Sequence, residues 1–361
     1  MKRLNLLNKL PKSILFLPKY PRLGASSRLR TYQFLPYWEK EGYRVRVSEF
    51  FNEEYLREKY KGEGVGMWNL LKCYFRRAWV LLGFWGYDAV WLEKELFPFM
   101  PAWAEWVLCK IGKGYMVDYD DAVFHRYDQA RRPWVRKFLG NKIDKVMRYA
   151  KVVFAGNSYL EQRARQAGAG KIVRLPTVID ARRYGQRARE NTGPFRIGWI
   201  GSPSTLKYLN LIRPQLEQVC REYDAEVLLV NGNVKWKFEG PLRLIPWTEE
   251  GEVAAIQEMD IGLMPLPDTP WEQGKCAYKL IQYMACGLPV VASPVGMNLD
   301  VVEPGVNGFL AKDGEEWLEK LGNLIKDAEL RKTMGQKGFE LVQREFTLEG
   351  NFAKMRKVIG G

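Results

Sequence analysis

Short runs of β-branched or aromatic residues alternate with longer stretches of helical period through most of the chain. In the first half the runs are SILFLP (13–18), YRVRVSEF (43–50), YDAVWLE (87–93), GYMVDYD (114–120), KVVFAGN (151–157) and KIVRLP (171–176). In the second half they recur as FRIGWIG (195–201), EVLLVN (226–231), LRLIP (242–246), DIGLMPL (260–266), PVVAS (289–293) and GFLA (308–311). Runs that are apolar on both faces predict central strands of parallel sheets covered by helices on either side. The series therefore predicts an α/β protein of two doubly wound, Rossmann-like domains facing a central cleft. The charged, glycine-bearing stretch ARRYGQRARENTGP (181–194) has no apolar period and predicts a linker. Domains are thus expected at 1–186 and 187–346, with a helix over 347–361 packing back on the first.

A chain of 361 residues, 47% hydrophobic and 27% charged, is long enough to bury two cores, which excludes disorder. The five cysteines, Cys73, Cys109, Cys220, Cys276 and Cys286, are scattered and never form a C-x-x-C pair. They support neither a disulfide framework nor a zinc site, and fit a reducing cytoplasm. The apolar run Ile14–Leu17 stops at Pro18, short of a signal-peptide core or a membrane span. Charge changes the picture more. Residues 1–190 hold 37 Lys and Arg against 19 Asp and Glu, whereas 191–361 hold 19 against 23. A basic first half predicts either an anionic partner, such as a membrane surface, phosphorylated lipid or nucleic acid, or a merely solvated basic surface.

Candidate chemistry lies in the loops that follow strands. IGWIGSPSTLKYLNLI (197–212) places Gly201, Ser202, Pro203 and Ser204 between a strand and an expected helix, offering backbone N–H groups to an anion, or a serine cap to the helix. WEQGKCAYKLIQYMACGLPVVASPVG (271–296) puts Lys275 and Lys279 one turn apart at an expected helix start, with Gln282 on the same stripe and Leu280 and Met284 toward the core. Like charges at that spacing and at that end of a helix are unfavourable by themselves. A diphosphate held between the two helix starts would offset them.

MACGLPVVASPVG (284–296), followed by VVEPGVNGFL (301–310), resembles the carboxyl half of the GT-B glycosyltransferases of family 4. The resemblance runs from about Phe195 to Phe346, and NSYL (157–160) and LPTVID (175–180) are similar to the end of that family's first domain. It implies a retaining transfer from a nucleotide sugar, UDP- or GDP-linked, in the interdomain cleft, with no metal and no further cofactor. By position it implies that Gly201, Ser202 and the helix start running from Lys275 through Cys276 and Ala277 to Lys279 hold the diphosphate. Gln282 would then reach the ribose and Trp247 flank the base. The family's two glutamates, eight residues apart, would fall at Gly274 and Gln282. Glu272 or Asp268 is left to contact the sugar, and an amide at 282 still offers a donor and an acceptor. The basic residue usual in that family after the first strand of this domain is Trp199 here, which shifts phosphate neutralisation to Lys207, Lys275 or Lys279.

In the first half, LPKYPRLGASSRLR (17–30) places Gly24, Ser26 and Arg28 at a small turn and an expected helix start, a candidate acceptor or phosphate loop. VDYDDAVFHRYD (117–128) holds the single histidine, His125. Asp118 and Asp120 form the D-x-D that binds metal in a different class of glycosyltransferases, a class that doubly wound domains speak against. The family resemblance makes Asp121 and His125 the candidates for contact with the donor sugar. The stretches 66–86 and 96–114 mix tryptophan and phenylalanine with Lys and Arg. They predict either a buried helix pair or segments lying in a membrane interface.

The leading expectation is a glycosyltransferase acting on a glycan or lipid-linked acceptor in cell-surface polysaccharide or glycolipid synthesis. It would be cytoplasmic and peripheral on an anionic membrane. A sugar-nucleotide epimerase or phosphorylase of the same shape is the alternative. A nucleic-acid partner is not expected, because no recognition motif accompanies the charge.

Overall fold

The computed structural model describes residues 12–61, 66–112, 114–186, 193–231 and 236–359. All twelve expected strands form, in two compact units: Met1–Pro176 with Phe352–Gly361, and Thr177–Asn351. The first passage between units therefore comes ten residues before the end of the 1–186 domain expected from sequence, and the second falls within the helix Leu348–Ile359.

The first unit contains β1 (Ser13–Leu17), β2 (Arg44–Val47), β3 (Ala89–Glu93), β4 (Met116–Tyr119), β5 (Val152–Ala155) and β6 (Ile172–Arg174). They pair in parallel in the order β2-β1-β3-β4-β5-β6. β1, β4 and β5 are buried along their whole length, as strands covered on both faces must be. The edge strand β2, RVRV, instead alternates exposed and half-buried positions. Strand order reverses at β1, with β2 on one side and β3 on the other, so the loops after β1 and β3 diverge and leave a crevice at their carboxyl ends.

The second unit contains β7 (Phe195–Ile200), β8 (Ala225–Val230), β9 (Leu242–Ile245), β10 (Ile261–Met264), β11 (Val290–Ala292) and β12 (Gly308–Leu310). Their order is β12-β11-β10-β7-β8-β9, again parallel, with the reversal between β7 and β10. The core on one face of this sheet gathers Ile197, Trp199, Val227, Leu229, Leu263 and Trp317. On the other face the helix Tyr278–Ala285 lies against β10 at Gly262. A Cβ there would come within 2.2 Å of the Tyr283 ring. The Tyr283 hydroxyl accepts from the Ile200 N–H (3.0 Å) and donates to the Leu263 carbonyl (3.3 Å), which pins the helix across β7 and β10. Gly262→Ala is expected to cost about 1–3 kcal/mol by overpacking, read as a lower thermal midpoint.

Two sequence expectations change. The supposed linker is in part structural: Tyr184 is buried within the second unit, and residues 187–192 lie outside the described residues. The helix Met67–Leu82, for which a buried pair was one expectation, exposes its aromatic side chains instead. All five cysteines are free thiols.

Candidate functional site

In the second unit the loops after β7 and β10 flank the strand-order reversal, where a parallel sheet opens to ligands. After β7 the backbone turns at Gly201. A Cβ at this position would lie 2.5 Å from the Trp199 ring and 2.9 Å from Lys279 Cε, so a side chain here would displace the ring and the lysine stem that crosses the turn. The turn leads into a 3₁₀ helix, Pro203–Leu211, rather than the expected α-helix. Ser202 occupies its cap position, but its hydroxyl makes no bond to the helix backbone and instead lies 3.0 Å from the Ser204 hydroxyl.

The two lysines do not share a helical turn, which corrects the sequence expectation. A short helix, Pro270–Gln273, ends at Gly274, and Ala277 then takes a left-handed conformation (φ 50°) before the helix Tyr278–Ala285 begins. Such a φ is uncommon for a residue with a Cβ and breaks helical continuity. Lys275 therefore lies before the second helix, with its Nζ 5.5 Å from the centre of the Trp271 ring. Lys279, in the first turn, lies with its Nζ 5.5 Å from the centre of the Trp199 ring. Each ammonium rests on an aromatic face, an arrangement that offsets part of the local charge cost. No acidic residue stands in the first turn of this helix. Trp199, at the end of β7, thus supports a cation supplied by the helix Tyr278–Ala285.

Lys207, Tyr208, Pro267, Trp271 and Glu272 line a shallow depression between the same two loops. Glu272 is buried there and accepts from the Tyr208 and Thr269 hydroxyls. Asp268 is exposed and accepts from Gln273 Nε2 (2.6 Å). Cys276 and Ala277 are buried at the break. Gln282 is buried too, and its Nε2 donates to the Tyr184 hydroxyl (2.8 Å). That hydroxyl donates in turn to Glu252 (3.0 Å), which also accepts from Trp247 Nε1 (3.2 Å). Gln282 and Trp247 are thereby tied together by Tyr184 and Glu252, two residues that sequence reasoning missed. A lone tyrosine inside a charged stretch was the only signal for the first of them.

In the first unit the reversal at β1 holds a dense buried network. Glu93, ending β3, accepts from the Ser27 (2.6 Å) and Thr31 (2.5 Å) hydroxyls and the Lys19 N–H (3.0 Å), while burial pushes its carboxyl up. Burial acts the same way on Glu95, but Lys19 and Lys142 outweigh it and hold that carboxyl at about 2. Asp118 forms a two-pronged pair with Arg30 (2.8 and 2.5 Å), and burial raises its pKa against the guanidinium. Asp120 accepts from Ser26 (2.6 Å) and pairs with Lys94 (3.0 Å); despite burial, Lys94 and Arg30 hold it well below the usual carboxylate range. The D-x-D carboxylates are thus each paired with a buried cation of the chain.

Gly24 caps a helix of six residues, Ala25–Arg30, so the two serines expected in the turn lie inside the helix. Ser26 accepts from Lys94 Nζ (2.9 Å), and Arg28 is buried. Asp121 is half-buried just after β4. His125 is held by both ring nitrogens, Nδ1 against Asp128 (2.8 Å) and Nε2 against the Tyr159 hydroxyl (2.8 Å). Arg163 joins Asp128 (3.1 Å) to Asp144 (2.7 Å) behind it. Among the described residues no cluster of three or more His, Cys, Asp or Glu forms a candidate metal site.

Residues 194–327 match the family described as Glycosyl transferases group 1. An uncharacterized glycosyltransferase of Methanocaldococcus jannaschii is 39% identical over 80 residues, 22% of this chain and 22% of that relative. Sucrose-phosphate synthase from Thermosynechococcus elongatus has the same fold, with a TM-score of 0.73 at 16% identity over 96% of this chain and 98% of that one. So does Anabaena HepE in complex with UDP and glucose, with a TM-score of 0.69 at 15% identity over 96% and 99%. The two doubly wound units are those of the GT-B fold.

Proposed function

We propose that this chain, whose residues 194–327 match the group 1 glycosyl transferases, moves a sugar from a nucleoside diphosphate sugar to a hydroxyl of a glycan or lipid-linked acceptor. The reading extends to retention of configuration at the transferred carbon and to a place in cell-surface polysaccharide or glycolipid synthesis. The observation that carries it is the cation at the β7/β10 reversal: Lys279 crosses Gly201 in the first turn of a helix that has no acid there. Backbone N–H groups, a helix dipole and an ammonium at one point suit a diphosphate. The Anabaena protein of the same fold binds UDP and glucose.

In this reading Lys279, with Lys275 and Lys207, meets the diphosphate charge in place of a metal ion. Trp247 stacks on the base, and Gln282, oriented through Tyr184, meets the ribose. Glu272 is the carboxylate nearest to replacing the glutamate absent at Gly274. In the first unit, Ser26, Lys94 and Asp120 form a polar group suited to a hydroxyl-rich acceptor, and Asp121 and His125 are its candidates for contact with sugar hydroxyls.

Thermal-shift measurements against UDP-, GDP- and ADP-sugars, with EDTA present, test the donor site. One of them, at about 100 times its Kd, is expected to stabilise the fold by about 2.7 kcal/mol. If no donor raises the midpoint, the donor-site reading fails. If a shift is seen and disappears with EDTA, the metal-free part of it fails.

A further inference from the structure

The helix Met67–Leu82 is amphipathic in the reverse of the usual sense. Its buried positions are Asn69, Cys73 and Arg77, while Trp68, Phe75, Trp79 and Leu82 form the opposite stripe and are 79%, 73%, 76% and 72% exposed. The orientation is fixed from inside. Arg77 donates to the Pro18 and Ser48 carbonyls (3.1 Å each) and lies 5.5 Å from the centre of the Phe50 ring, so turning the apolar stripe inward would tear out an anchored guanidinium.

The exposed stripe does not stand alone. Tyr74 of this helix stacks on Phe97 (6.1 Å, 15°), and Phe97 stacks on Trp103 (5.8 Å, 10°) at the start of the helix Trp103–Lys110. Trp103 and Trp106 are themselves about half exposed. Cations interleave: Lys72 and Lys110 are exposed, whereas Arg76 is paired with Glu49 (2.8 Å). Met67–Leu82 contains no acidic residue. The one acid of the second helix, Glu105, is buried and accepts from the Leu96 N–H (2.8 Å).

We propose that this face of the first unit docks on an anionic lipid bilayer, its tryptophans and phenylalanine seated at the headgroup level and Lys72 and Lys110 against lipid phosphates. Two observations select the bilayer over other occupants. The face pairs tryptophan with cations and excludes exposed acids on both helices, which is the chemistry of an interfacial helix lying on a negative leaflet. A second copy of the same face would oppose cation to cation across a two-fold axis. No described helix is long and apolar enough to cross a membrane, so the segment lies on the surface rather than spanning it. The proposal needs no nucleotide sugar and stands or falls apart from the transfer reaction.

The test is flotation of the full chain, without nucleotide, with vesicles of phosphatidylcholine alone or with a quarter phosphatidylglycerol, and with brominated acyl chains to quench tryptophan. The chain is expected to float with the anionic vesicles, to lose binding at high salt, and to show blue-shifted, quenched emission. Phe75→Ser with Trp79→Ser is expected to lower the partition coefficient tenfold or more. Because such a variant can also lose stability, Lys72→Glu and Lys110→Glu give an independent reading, each lowering partition about fivefold. Failure to float, flotation unchanged in both sets of variants, or a stable dimer in sedimentation that Phe75→Ser/Trp79→Ser dissolves would overturn the proposal.

Discussion

Lys279→Ala is expected to weaken binding of the matching nucleoside diphosphate by about 10- to 100-fold while leaving the free nucleoside close to its original affinity. The magnitude is that of a hydrogen bond to a charged group, about 1.5–3 kcal/mol. The asymmetry comes from position: the ammonium stands at the Gly201 turn and in the first helical turn, where phosphates would sit, whereas Gln282, a turn further on, is buried and bound to Tyr184. Alanine also strips the aliphatic stem from the face of Trp199. Lys279→Met retains that packing and removes only the charge, so it should show the same selective loss. Calorimetric titration with diphosphate and nucleoside decides the matter. Equal loss of both ligands in the methionine variant would remove the diphosphate role.

Arg30→Met is expected to destabilise the first unit by about 3–5 kcal/mol, the usual cost of leaving one member of a buried ion pair without its partner. Arg30 and Asp118 are both almost inaccessible to water, and the guanidinium also donates to the Leu175 carbonyl (2.9 Å). Burial already pushes Asp118 toward its neutral form; with the guanidinium gone only the weaker pull of Lys94 opposes that push. Arg30→Met with Asp118→Leu should recover a large part of the loss, because two apolar side chains carry no desolvation penalty. Urea denaturation followed by circular dichroism measures both. A single variant that costs less than about 1 kcal/mol would mean that water reaches the pair.

The strands were legible because a parallel sheet covered on both faces leaves unbroken apolar runs; β2 was found among them, although its RVRV alternates as an edge strand does rather than being apolar on both faces. The loops that carry the candidate site were legible by their place after strands and by glycine, as at Gly201. Ala277 was not: nothing in its local composition signals a left-handed residue, and without it Lys275 and Lys279 read as neighbours on one helix. The helix Met67–Leu82 shows a further limit. Period locates its two stripes but does not tell which one faces the protein, and the answer lay in Arg77 meeting carbonyls 59 and 29 residues away. The same holds for Arg30 and Asp118, 88 residues apart.

The helix Leu348–Ile359 carries Phe352 into the first unit, where its ring meets Trp38 at 4.8 Å and Tyr37 at 5.2 Å, and Met355 is fully buried. Arg356 closes the contact with Glu41 (2.8 Å). Trp38 thus waits for a partner more than three hundred positions downstream. At translation rates of about 5–20 residues per second, an emerging first unit would hold that indole surface uncovered for about 15 seconds to a minute. The second unit can close within its own stretch of chain. The half that is made first is therefore the half that finishes last, and its order of completion runs against the order of synthesis.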